Sequence, residues 1–191
     1  MHQLDRKRGI ASKAREGAFT LVELLVVISI IGMLAGLMSV AIPKAMEAGK
    51  KAKVKGELTA IVAAVKAYKQ EYGRFPGDPT AVNRLYSSNS SPSMMDLMKV
   101  LGGDATTQLD GQIANPKGVR FFEGGKTNGT LLDPWSRQYL LLVDSADTGS
   151  LTYTNGTSAI NLRISVLGIC YGKDGLANSA PGKNIFSVDL K

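Results

Sequence analysis

The sequence predicts an α+β protein: a long N-terminal helix, apolar in its first half and amphipathic in its second, packed on a small antiparallel β-sheet domain. Three observations carry that expectation. Residues 24–42 hold no charge, and eleven of the nineteen are Leu, Ile or Val. Val54, Leu58, Ile61, Val65, Tyr68 and Tyr72 then recur at helical spacing. In the C-terminal half, strand-like runs follow one another with turns rather than helices between them, which favours an antiparallel sheet.

Residues 1–18 are a polar leader with five basic and two acidic residues, so of the net charge of +7 the remainder of the chain carries +4. The apolar run begins next to a carboxylate, Glu23. An ionisable group at the mouth of a would-be membrane helix is a functional expectation in itself. The eleven aliphatic residues favour insertion by about −5 kcal/mol, against about +3 kcal/mol for one carboxylate at the helix centre and less near an end. Nineteen helical residues span about 28 Å, enough for one crossing of a bilayer core. A cleaved secretory signal would have a shorter apolar stretch and a polar start after it; here Ala35-Gly36 leads into more apolar sequence. Arg6, Lys7, Arg8, Lys13 and Arg15 before the span are matched by Lys44, Lys50, Lys51, Lys53 and Lys55 after it, so charge alone does not set the orientation.

Past the span the apolar stripe gives the helix a face for a globular domain, with lysines and polar residues opposite. Pro43, Gly49 and Gly56 interrupt the pattern, and a kink or loosening is expected near Pro43. Gly73 and Pro76 end the helix. The expected organisation is therefore a leader at 1–18, the long helix at 19–76 and a compact domain at 77–191. In that domain Asp78–Ser91 reads as a loop. Ser93 and Asp96 form a capping-box pattern ahead of Met94, Leu97, Met98 and Leu101. Strands are expected at Val119–Phe122, Gln138–Val143, Leu151–Thr154 and Asn161–Ile169, with Asn155-Gly156 as a hairpin signal.

Several function classes fall away. Cys170 is the single cysteine, which excludes an intramolecular disulfide, and it reads as a small core residue. The one histidine, His2, lies in the leader, so the folded part has no histidine for acid–base or metal chemistry. No aromatic-interleaved basic patch in the C-terminal half points to nucleic acid as a main partner. Glu71, Asp78 and Asp104 show no spacing of a catalytic carboxylate pair. Asn128-Gly129-Thr130 and Asn155-Gly156-Thr157 match glycosylation sequons, a short pattern common by chance.

The segment Ala18-Phe19-Thr20-Leu21-Val22-Glu23-Leu24-Leu25-Val26-Val27-Ile28 resembles the class III signal of the type IV pilin and pseudopilin superfamily. The resemblance implies the pilin fold. It also implies leader cleavage after Ala18 by a prepilin peptidase, methylation of the new Phe19 amine, and Glu23 as the fifth mature residue. Cleavage after Gly17 is the alternative, and would leave the glutamate sixth. The family's subunits pack their apolar helices into a filament drawn from the bacterial inner membrane. There Glu23 would pair with the Phe19 amine of a neighbour and set the register; solvation of the carboxylate at the membrane surface is the competing reading. Gly32 and Gly36 have the G-x-x-x-G spacing that permits close helix approach, a spacing equally explained by the abundance of small residues in such spans. With Pro43 they mark the part of the helix that loosens in related filaments.

Tyr72-Gly73-Arg74-Phe75-Pro76 and Leu132-Asp133-Pro134-Trp135 are similar to segments of the major subunits of type II secretion pseudopili. Gly172-Lys173-Asp174-Gly175 is similar to the start of their calcium loop, which would assign calcium to Asp174, Asn178 and Asn184; an ordinary Asp-Gly turn is the competing reading. Asp133 has a simpler task available, capping the turn that Pro134 starts, and Trp135 reads as a core anchor. The function implied is a structural, non-enzymatic subunit of a pseudopilus that drives protein secretion. Its implied partners are further copies of itself, other pseudopilins, the peptidase, the inner-membrane assembly platform and the membrane, and its C-terminal domain would be periplasmic. A type IV pilin for adhesion, motility or DNA uptake is the alternative within the superfamily. An enzyme or binding domain on an uncleaved anchor is the alternative outside it.

Overall fold

The computed structural model describes residues 19–124, 129–155, 158–175 and 184–188. Helix α1 runs from Leu21 to Tyr72. It continues through Pro43, Gly49 and Gly56 as one helix, so the loosening expected at Pro43 is not seen. A proline removes a single ladder bond, and Ala41, Ala45 and Met46 on either side are good helix formers. Gly73, at φ +70°, takes the left-handed conformation that ends the helix, and its N–H donates to Lys69 O at 2.8 Å.

The chain divides into two compact units, residues 1–45 and 46–191, so the second includes the amphipathic part of α1. Its other elements are β1 (Arg84–Tyr86), α2 (Met94–Leu101), β2 (Gln108–Leu109), β3 (Gln112–Ile113), β4 (Leu140–Val143), β5 (Leu151–Asn155), β6 (Ser158–Leu162), β7 (Val166–Cys170) and β8 (Ile185–Phe186). The central sheet has the order β1-β4-β7-β8, with every pair antiparallel. Strands β2 and β3 form one small hairpin. Strands β5 and β6 form another, paired from Leu151↔Leu162 to Asn155↔Ser158 as the Asn-Gly signal predicts.

Alternation along the strands sorts the core into two layers. Tyr86, Leu141, Val143, Val166 and Cys170 pack with the α1 stripe Val54, Leu58, Ile61, Val65 and Tyr68 and with Met94, Leu97, Met98 and Leu101 of α2. Leu142, Leu167 and Ile169, of opposite parity, pack with Leu151 and Tyr153 of the β5–β6 hairpin. Strand β7 is covered on both faces, and all five of its residues are buried.

Four further expectations need correction. Asn161–Ile169 is two strands, because residues 163–165 carry the chain from the hairpin layer into the central sheet, where Ser165 O accepts from Asp144 N at 2.9 Å. Val119–Phe122 is not a strand; Phe121 N and Phe122 N both donate to Leu101 O at the end of α2, at 2.8 and 3.0 Å. The 78–91 segment contains β1, three residues long and too short for periodicity to reveal. Helix α1 starts two residues later than Phe19. The capping box of α2 is present as expected, with Ser93 Oγ accepting from Asp96 N at 3.2 Å and Asp96 Oδ2 accepting from Ser93 N at 3.0 Å.

Buried Asn115 ties these parts together. Its Nδ2 donates to Val100 O and Val119 O, both at 2.8 Å, and its Oδ1 accepts from Tyr72 Oη at 2.5 Å. Oδ1 also accepts from Val119 N at 3.0 Å, so all of the side chain's polar capacity is used to hold α1, α2 and the 115–119 loop.

Gly168 sits where β7 meets α1. A Cβ there would lie 3.0 Å from Leu58 Cδ2 and 3.5 Å from Ser187 Cβ. Gly168→Val is therefore expected to lower the unfolding free energy by about 1–3 kcal/mol through overpacking. In a urea-unfolding double-mutant cycle, trimming the facing residue with Leu58→Ala should recover part of that loss; a strictly additive cycle would show that the two do not meet.

Candidate functional site

In the N-terminal unit Thr20 and Glu23 close on each other. Thr20 N and Thr20 Oγ1 donate to Glu23 Oε2 at 2.8 and 2.9 Å, and Glu23 N donates back to Thr20 Oγ1 at 3.2 Å. This is a capping box, T-x-x-E, at the start of α1. The carboxylate also sits at the positive end of the helix, which stabilises negative charge. Two of the roughly four acceptor positions of a carboxylate are thereby taken.

The surface that follows is apolar and uncovered. Phe19 and Leu21 are 75% and 78% exposed, and Leu25, Ile28, Ile31, Met33 and Leu37 are exposed as well. Among the described residues α1 is the one helix long and apolar enough to cross a membrane, and none of its apolar window is buried within the chain. Its two hydroxyls in this stretch are satisfied locally: Ser29 Oγ donates to Leu25 O at 2.7 Å and Ser39 Oγ to Ala35 O at 2.9 Å. Such back-bonding lets serine sit in an apolar environment without an unpaired donor. Gly32 and Gly36 lie one turn apart, with open space where a Cβ would be. Ala18 lies outside the described residues.

In the second unit, Asp133 is buried and organises the Asp-Pro-Trp segment. Its Oδ1 accepts from Trp135 N and Arg137 N, both at 2.9 Å, and its own N–H donates to Arg137 O at 2.7 Å. Its Oδ2 accepts from Cys170 Sγ at 3.1 Å. The turn-capping role read from the sequence is thus extended to the end of β7. Trp135 packs against the main core cluster. Arg137, held by that turn, reaches across to donate to the carbonyls of Gly172 and Lys173.

Of the three residues assigned to calcium, Asp174 lies in an exposed turn, Asn178 lies outside the described residues, and Asn184 is buried with Nδ2 3.4 Å from Tyr153 Oη. No group of three or more His, Cys, Asp or Glu side chains comes together among the described residues. The other carboxylates noted in the sequence make local or paired contacts. Glu71 pairs with Lys117 at 2.6 Å. Asp78 Oδ1 accepts from Thr80 N and Oγ1, both at 2.8 Å. Asp104 accepts from Thr106 and Thr107, whose hydrogen bonds hold its pKa down to about 2.

Burial pushes the Cys170 thiol up to about 12 from an ordinary value of 9.0. Both folded and unfolded chains hold the thiol protonated below pH 9, so its contribution to stability is complete there. As pH rises from 9 toward 12 the unfolded chain ionises first and the contribution is lost. Tyr68, Tyr86 and Tyr139 are raised by burial in the same sense. Melting temperatures should therefore fall steeply on the alkaline side, and less steeply in Cys170→Ala, which removes the thiol's share alone. An identical alkaline slope in the two proteins would contradict the assignment.

Residues 13–39 match the family described as the prokaryotic N-terminal methylation motif. The chain is 30% identical, over 128 residues, to the type II secretion system core protein G of Klebsiella pneumoniae, an alignment that covers 67% of this chain and 75% of that one. No solved structure matches it at a comparable level of significance. Together with the long helix on an antiparallel sheet, this relationship means that the chain belongs to the family of the type II secretion system core protein G.

Proposed function

We propose that this chain is a structural subunit of a pseudopilus that polymerises from the bacterial inner membrane and drives protein secretion by a type II system. The observation that carries the reading is the start of α1: an uncovered apolar helix, opened by Phe19, Thr20 and Glu23, on a chain that also contains a folded domain. Such a surface requires lipid or other copies of itself to cover it. The methylation motif and the relationship to core protein G support a pseudopilus as that assembly.

In this reading a prepilin peptidase removes residues 1–18 after Ala18 and methylates the Phe19 amine. The helix then anchors the subunit as a single-pass protein, with its C-terminal domain in the periplasm. When subunits assemble, Glu23 meets the Phe19 amine of a neighbour. The capping box with Thr20 leaves acceptor positions for that pairing while holding the carboxylate at the helix mouth. A paired charge offsets much of the desolvation that an isolated carboxylate would suffer in an apolar bundle, and a mispaired one does not, so the pair selects one register. Gly32 and Gly36 supply a stretch of helix surface on which another backbone can approach closely, and Pro43 is the point at which the assembled helix would loosen. The work is mechanical rather than catalytic, and the partners are further copies of this chain, other pseudopilins and the assembly platform.

N-terminal sequencing and intact mass of the protein from its native membrane test the processing step. The expected product starts at N-methylated Phe19 and lacks residues 1–18. A chain that retains Met1, or one cut after the apolar run, would overturn the reading and leave an anchored or secreted domain.

A further inference from the structure

The segment that joins β7 to β8 is the one for which the family resemblance implies calcium. A calcium site draws six to eight oxygens together, several of them charged. Between Tyr171 and Asn184 the sequence offers a single carboxylate, Asp174, beside Lys173 and Lys183. Backbone carbonyls would have to supply much of the shell, and two of those nearest Asp174 are engaged. Arg137 Nη1 donates to Gly172 O, and Arg137 Nη2 donates to Lys173 O at 3.1 Å. A guanidinium is a planar, permanently charged fork suited to two acceptors at once. A divalent cation drawn to the same oxygens would meet its positive charge at close range. With Asp174 as its one carboxylate and Arg137 on the two carbonyls beside it, the turn at residues 171–175 does not fit calcium.

Arg137 is built into this position by the fold. Its backbone N–H and C=O are both fixed by Asp133, and Asp133 Oδ2 also accepts from Cys170, the last residue of β7. One buried carboxylate thus positions both the arginine and the strand from which the loop departs. Gly175, at φ +67°, completes the arrangement: a Cβ added there would run into the Arg137 guanidinium.

We propose that the Arg137 guanidinium is the built-in cation of the turn at residues 171–175, holding the carbonyls of Gly172 and Lys173 so that the domain keeps this turn in place without calcium. The test uses the full-length chain in detergent, with thermal melts, equilibrium dialysis against calcium, and limited trypsin cleavage at Lys173, in calcium and in EGTA. The wild type should melt and be cleaved identically in both conditions and should bind no stoichiometric calcium. Arg137→Met should melt lower and be cleaved several-fold faster at Lys173, with no rescue by calcium, and Arg137→Lys should lie between the two. Stoichiometric calcium on the wild type, or a melt raised by several degrees in calcium, overturns the proposal. So does an Arg137→Met protein indistinguishable from wild type in both assays. Should that variant not fold, the wild-type calcium measurements decide alone. These readouts are properties of the purified subunit, so their failure is separate from any failure of the filament reading.

Discussion

The constraint on which the rest depends is the uncovered apolar surface of the first half of α1. In water, a helix bearing exposed Leu25, Ile28, Ile31, Leu34 and Leu37 would aggregate. Within its own unit the chain does nothing to bury these residues. Their backbone is satisfied by the helix itself, and Ser29 and Ser39 return their hydroxyls to it. Everything polar in the stretch is thus made safe for an apolar environment except one group, the Glu23 carboxylate. That group is held at the helix mouth by Thr20, where the helix dipole favours its charge. In the proposed function this suits a segment that would pass between two apolar surroundings, lipid and a bundle of like helices.

The second half of the helix solves a different problem. From Val54 onward it buries a stripe against the central sheet and α2, and the fit is close enough that β7 carries a glycine opposite Leu58. Polar groups then lock the packing. Asn115 joins the two helices and a loop, and Asp133 joins a turn to the end of β7. Buried groups with their bonding filled fix one arrangement, because any shift would leave an unpaired donor or acceptor in the interior. In the proposed role as a pseudopilus subunit, such rigidity would let the domain bear load.

The long, regular signals were legible in the sequence. The apolar run, the 54–72 stripe and the Ser93–Asp96 capping box each follow a local rule of periodicity or end-capping, and each is present. Asp133 and Trp135 were readable for the same reason, since an Asp-Pro turn is a local matter. Less legible were β1, β2, β3 and β8, which are two or three residues long and exist only because a partner strand is present. The run Asn161–Ile169 shows how an apolar stretch conceals a change of layer, and Val119–Phe122 how a β-like composition is overridden by two bonds to Leu101 O. Thr20-x-x-Glu23 spells a capping box, but attention to the cost of a carboxylate in lipid passes over it. The reach of Arg137 to Gly172 and Lys173 crosses the fold, and no spacing in the sequence signals it. Ala18 and Asn178 lie outside the described residues.

The central claim is that Glu23, free to accept from a neighbour's amine, turns an anchored subunit into a filament subunit. The most direct measurement is filament formation by Glu23→Ala and wild type produced at equal levels, seen by electron microscopy and by cross-linking within the membrane, with thermal melts of both proteins alongside. The account predicts that the variant stays unassembled in the membrane while its domain melts as the wild type does. Filaments of normal abundance and order from Glu23→Ala would contradict it.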